Sequence, residues 1–231
     1  MLLRHFLQLH GYSRRKILAF IQQGKILVDE EKVDSLKKEL SLGQSVRVEK
    51  KNYVYTDSST DYVLVLFNKP LGYVCSHKDT HNKTIYELLP ETFKSYRYVG
   101  RLDKDSTWLV LLTNHMSLVN RWSHPRYMVE KEYIVTVDPS FSALDKEKIL
   151  NWIKDGGDIL SVKSVSIVDK QTIRIVLTEW KNRHIRRMLA ACGYDVVWLM
   201  RIREWSYTLD SLLAWAYTVL PLDMKDVSEK I

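Results

Sequence analysis

Apolar and polar positions follow two different periods along this chain, and the change of period divides it. In "LRHFLQLHGYSRRKILAFIQQGKILVDEEKVDS", Leu3, Phe6 and Leu7 recur at helical spacing and Gly11 follows as a stop. Ser13 is a good N-cap for a second helix with Ile17, Leu18 and Ile21 on its apolar face, closed by Gly24. "KILVDEEKV" reads as a hairpin and "GQSVRVEKK" as an alternating strand. Residues 51–61, "KNYVYTDSSTD", are polar and rich in turn formers, a candidate linker between residues 1–50 and 62–223. Beyond it the pattern predicts strands near 62–68, 109–113, 129–138, 159–168, 172–179 and 196–203. Helices are predicted near 84–89, 115–122, 142–154 and 183–192. Strand-rich segments with interspersed helices make an α+β fold with a largely antiparallel mixed sheet. Residues 224–231 are left as a tail.

Composition narrows the class. The 231 residues are 45% apolar and 27% charged, ordinary for a soluble globular protein. No apolar run approaches the roughly 18 residues of a membrane span. Arg4, His5, Gln8 and His10 interrupt the apolar start, so it is expected to be folded protein in the cytoplasm rather than a signal peptide. Cys75 and Cys192 lie in apolar contexts without metal-ligand spacing, which favours buried thiols.

Charge says more through its placement than through its net value of +7. Residues 1–50 hold ten Lys/Arg against six Asp/Glu, and Lys181, Arg183, Arg186 and Arg187 fall within seven residues. Two basic patches fit a nucleic acid better than a small acidic substrate. Arg14, Arg15 and Lys16 stand in a first helical turn, where the helix dipole disfavours cations. An external anion and a merely solvated basic face both fit them. With Lys25 they are the candidate nucleic-acid contacts of this part.

Four later segments carry a resemblance: "FNKPLGYVCS" (67–76), "VGRLDKDSTWLVLLTN" (99–114), "HPRYMVEKEYIVTV" (124–137) and "KNRHIRRMLAACGYDV" (181–196). Their order and spacing resemble the RsuA-type ribosomal RNA pseudouridine synthases. Residues 1–50 resemble the small αL RNA-binding module that many family members carry. The resemblance implies a catalytic domain over 62–223 and a ribosomal RNA or ribosome-assembly intermediate as partner; the sequence does not specify an oligomeric state, and a monomer is the default expectation. The resemblance also implies isomerisation of uridine without a redox cofactor or a metal, since nothing is added, removed or oxidised.

Such a reaction breaks the bond from base nitrogen to ribose and remakes it from base carbon. A nucleophile must hold the sugar or the base meanwhile, and a carboxylate can form that covalent intermediate. The family places its aspartate at Asp103. A shielded carboxylate drifts towards the neutral acid unless a cation holds it ionised; the resemblance gives that ion pair to Arg186. Arg183 and Arg187 are then assigned to phosphates, whose geometry a guanidinium fork matches. Tyr133 matches the tyrosine that stacks on the target base, as an extruded base requires. Arg101 matches an arginine that contacts RNA backbone or fills the space the base leaves. Lys69 and Pro70 match a bracing turn. His184 replaces the family's usual glutamine and could gain charge near neutral pH. An RNA-binding or assembly factor that kept the fold and lost catalysis is the alternative, kept open by Trp108 and His115 near the nucleophile.

One compositional oddity stands apart. The chain has seven tryptophans and eight glycines, and eight is about half the typical glycine share of roughly 7%. By the resemblance, Trp108, Trp180, Trp198 and Trp205 fall at or near positions where relatives often have glycine; Trp152 and Trp215 look similar, and Trp122 is less clear. Two expectations compete: some or all of these codons are UGA read as glycine in the native organism, or the fold repacked around real tryptophans. The first demands glycine-like backbone at these positions.

Overall fold

The protein was analysed as a computed structural model that describes residues 1–56, 62–209 and 211–222. At its N-terminal end α1 (Leu3–Leu9) and α2 (Arg14–Gln22) pack on a four-stranded sheet. The strands are β1 (Ile26–Val28), β2 (Glu31–Lys32), β3 (Ser45–Val48) and β4 (Lys51–Val54), ordered β2-β1-β3-β4. Ser13 caps α2 by accepting from the Lys16 backbone N–H. The face of α2 differs from expectation: Ile17 and Phe20 are buried and Leu18 is exposed. The linker also starts later than expected. "KNYV" is β4, paired to β3, and Tyr53 and Tyr55 pack on the N-terminal core. Alternation of polar residues with inward aromatics makes this segment a strand despite its polarity. The rest of the expected linker, residues 57–61, and the tail lie outside the described residues.

The larger part is built on one mixed sheet. Its strands are β5 (Val63–Lys69), β6 (Arg97–Val99), β7 (Thr107–Thr113), β8 (Lys131–Asp138), β11 (Ser164–Ile167), β12 (Thr172–Leu177), β13 (Asp195–Glu204), β14 (Tyr207–Thr208) and β15 (Tyr217–Pro221). The main path runs β11-β12-β8-β13-β7-β5-β15, with β14 on β13 and β6 on β7. Only the β13–β7 pairing is parallel among these described strands. The α+β, largely antiparallel expectation is met.

Near-continuous apolar runs in β5 and β7 have a physical reason: both strands are covered on both faces. Val65, Phe67, Val110 and Leu112 enter a core with Tyr133, Val135 and Val137 of β8 and Ile185, Met188 and Leu189. Leu64, Leu66, Leu109 and Leu111 enter the opposite core, under Leu118 and Trp122 of α3 (Met116–Ser123). Two expected elements break. Helix α4 (Ala143–Leu150) stops short of residue 154, because Asn151 caps it and Trp152 turns left-handed before β9 (Ile153–Asp155). The expected strand 159–168 is β10 (Asp158–Leu160) and β11, in different sheets. The stretch 84–89 is a single 3-10 turn at Ile85–Glu87. Among the described residues no helix is long and apolar enough to cross a membrane.

Candidate active site

Asp103 lies in the loop between β6 and β7, and that loop is pinned from several sides. Gly100 adopts φ +65, and a Cβ there would stand 3.2 Å from Glu204 Oε1 and 3.4 Å from Arg201 Nη1, so only glycine fits the turn without displacing them. The Leu102 N–H donates to the Cys75 Sγ, and the Ser106 N–H donates to the Asp103 carbonyl. Lys69, fully buried at the end of β5, donates from Nζ to the Ser106 carbonyl (2.6 Å) and the Pro70 carbonyl (3.1 Å). The bracing turn expected at Lys69–Pro70 thus reaches the acidic loop itself. Burial lowers the Lys69 pKa to about 8.

Asp103 is half-buried, and among the described residues its Oδ2 has no hydrogen-bond partner. Burial and the neighbouring Asp105 charge raise its pKa, while Arg183, Arg186 and Arg101 pull it back down. Burial and these charged neighbours together set the charge of one carboxylate.

The arginine pairing differs from expectation. Arg186 bonds Asp105, not Asp103: its Nε stands 3.2 Å from Asp105 Oδ2, and its Nη2 donates to the Asp105 carbonyl at 2.7 Å. Its Nη1 donates to the Val196 carbonyl. Arg183, left-handed at the start of α5 (His184–Ala190), forks onto both carboxylate oxygens of Asp105 at 3.3 and 2.9 Å. Asp105 therefore gathers both guanidiniums beside Asp103. Burial pushes the Asp105 carboxyl up, but Arg183 and Arg186 outweigh it and hold the pKa below the usual range. The second aspartate of "LDKDS" was the missed signal: at two residues' spacing it shares the turn with Asp103 and is free to take the arginines.

Arg187 is also placed differently. Its Nε stands 2.5 Å from Asp155 Oδ2 and its Nη1 2.8 Å from Asp158 Oδ2, so its fork is taken up by the β9–β10 hairpin. His184 is fully buried, and burial lowers its pKa to about 4, so it stays neutral at neutral pH, contrary to the charge gain expected of it. Arg101 is exposed on the acidic loop.

Tyr133 lies in β8 opposite Ile175 of β12 and Arg201 of β13. It is 0% exposed, and the Trp180 ring stacks on it with centroids 5.4 Å apart and planes 24° apart. Beneath runs a buried charge cluster the sequence did not disclose. Arg201 pairs with Glu204 at 3.0 Å and donates from Nε to the Leu109 carbonyl; Lys131 stands 3.6 Å from Glu204. Spacing along β13 conceals it, because a strand carrying Arg201, Arg203 and Glu204 reads as solvent-facing.

In the N-terminal part Arg14, Arg15 and Lys16 are exposed on the first turn of α2. Lys16 also lies over the Tyr12 and Phe20 rings, and Lys25 pairs with Glu49 at 3.0 Å. These cations sit apart in sequence and sheet from the acidic loop.

Residues 63–191 match the RNA pseudouridylate synthase family. The chain is 31% identical over 212 residues to the ribosomal small subunit pseudouridine synthase A of Yersinia pestis, covering 88% of this chain and 87% of that one. It is 29% identical over 223 residues to an uncharacterized RNA pseudouridine synthase of Borreliella burgdorferi, covering 94% and 88%. A solved pseudouridylate synthase superposes over the whole of both chains with TM-score 0.69 and 26% identity. The chain belongs to the RNA pseudouridine synthase family and is an isomerase that converts uridine to pseudouridine in RNA.

Proposed function

We propose that the substrate is a specific uridine of ribosomal RNA and that Asp103 is the nucleophile. The observation that carries the reading is the half-buried Asp103 carboxylate, with one oxygen unpaired among the described residues and three arginines acting on its charge. A carboxylate committed to a structural role would have both oxygens engaged. In the reaction the glycosidic N1–C1′ bond breaks, the base turns, and C5 bonds C1′; the C5 proton leaves and N1 gains one. An Asp103 oxygen bonds the sugar or the base between the two bond changes, and that bond breaks again before pseudouridine is released, so the carboxylate is regenerated. Arg183 and Arg186, tied to Asp105, keep positive charge beside it without quenching it in a direct ion pair. Tyr133 is the stacking platform for the base, and Arg101 faces the RNA.

The ribosomal substrate is supported by the names of relatives, which include small- and large-subunit synthases of Yersinia pestis. It is also supported by the exposed cations of α2. Arg14, Arg15, Lys16 and Lys25 belong to an αL RNA-binding module that docks the enzyme on structured RNA, and phosphate attraction supplies its affinity. Arg183 keeps a phosphate role only if RNA displaces Asp105; Arg187 serves the fold.

Carbodiimide-dependent primer extension on rRNA from a deletion strain tests the ribosomal substrate and the nucleophile together. Loss of one pseudouridine stop, restored by the wild-type gene and not by Asp103→Asn, is the expected result. An unchanged set of stops overturns the ribosomal substrate, and restoration by Asp103→Asn overturns the nucleophile.

A further inference from the structure

Four tryptophans have a backbone that tryptophan disfavours. Trp108 has φ +82, Trp152 +59, Trp205 +55 and Trp215 +74. Outside glycine such values occur in a few per cent of residues, mostly Asn and Asp, and in a bulky residue they are outliers. Among the described residues, four of the nine non-glycine positions with positive φ are tryptophan, one of the rarer residues of the chain. All eight glycines also have positive φ. The glycines of this chain and these tryptophans do the same conformational work.

Each of three settings independently asks for glycine. Trp152 follows Asn151, the C-cap of α4, the left-handed position that commonly ends a helix in glycine. Trp205 is the first of two residues joining β13 to β14, where Glu204 faces Tyr207; Ser206 is not left-handed, and a two-residue hairpin of that kind takes glycine first. Trp215 is the third residue of a turn in which the Ala216 N–H donates to the Leu213 carbonyl, and positive φ at that place defines the turn type that takes glycine there. Nor does packing compensate at the surface: Trp152 is 58% and Trp215 57% exposed.

Trp180 joins them by a different observation. Its φ is ordinary, but its ring stacks on Tyr133, the platform proposed above, which has no exposed surface. A residue without a side chain at 180 removes the aromatic ring that occupies the stacking place a base would take.

We propose that positions 108, 152, 180, 205 and 215 carry glycine in the protein its own cell makes, their codons being UGA, which differs by one base from both a tryptophan codon (UGG) and a glycine codon (GGA). Trp122 and Trp198 are excluded. Trp122 sits inside α3 at 2% exposure, and Trp198 is a strand residue of β13; neither has positive φ.

Peptide mass spectrometry of the protein from its native cell, with sequencing of its gene, tests this directly. Glycine masses and UGA codons at the five positions, with tryptophan and UGG at 122 and 198, are expected. Tryptophan at 108, 152, 205 and 215 in native peptides overturns the proposal, and tryptophan at 180 alone overturns that extension. Recombinant protein gives a second reading. Trp152→Gly and Trp215→Gly are each expected to raise the melting temperature by about 2–4 °C, and Trp122→Gly to lower it. No rise in either of the first two contradicts the backbone argument. Adding Trp180→Gly is expected to raise pseudouridine formation at least about tenfold. That arm alone rests on the role of Tyr133, so its failure beside a glycine mass at 180 counts against the platform and not the codon.

Discussion

At the scale of single residues the site is a problem of charge placement. As the proposed nucleophile, Asp103 must be an anion to attack, yet burial and Asp105 both favour its protonated form. Since its pKa is raised, the anion is lost as pH falls through a value above that of an ordinary aspartate, and the acidic limb of the rate profile should lie there. Asp105→Asn removes the like charge and frees Arg183 and Arg186 to act on Asp103. Both changes lower the Asp103 pKa, so the acidic limb should move to lower pH even where the maximal rate drops. A pH–rate profile under single-turnover conditions measures it; a limb that stays or moves up contradicts the assigned couplings. The family resemblance pointed to Asp103 and both arginines. It did not disclose which aspartate the arginines would bond, because that choice is made by the fold of a short turn.

Among elements, one of the ties on the acidic loop is Lys69, which joins the end of β5 to Ser106. Lys69→Met deletes two charge-assisted hydrogen bonds and leaves both carbonyls buried, which should cost about 2–4 kcal/mol in denaturant unfolding. The pH dependence has a definite sign. Between about 8, where folded Lys69 loses its proton, and the unfolded value near 10.4, the unfolded chain binds more protons. Wild-type stability relative to Lys69→Met should therefore rise with pH across that window. A flat difference from pH 8 to 10 would show that Lys69 is not buried as a strained cation. Long elements with a strong period were legible: α2 with its Ser13 cap, β7, β8 and β13 fall where alternation put them. Failures came where one residue overrode the pattern. Trp152 stops α4 early, and Tyr53 and Tyr55 turn a polar "linker" into β4 by packing inward.

On the scale of the whole molecule, the proposed function divides affinity from chemistry between a basic N-terminal unit and a sheet-borne acidic loop. Arg14, Arg15 and Lys16 are exposed and can be removed without opening a core. Their triple replacement by alanine should weaken RNA binding and flatten its salt dependence, by about 0.9 in log–log slope for each duplex phosphate that they no longer neutralise. The bound-state rate should stay nearly unchanged. An unaltered slope would mean that α2 does not touch RNA. The most direct test of the central claim is single-turnover pseudouridine formation by Asp103→Asn on rRNA isolated from a deletion strain. Asparagine keeps the shape and removes the attacking anion, so RNA affinity and melting should stay near wild type while no product forms. Turnover within about tenfold of wild type, under about 1.4 kcal/mol of barrier, would contradict Asp103 as the nucleophile.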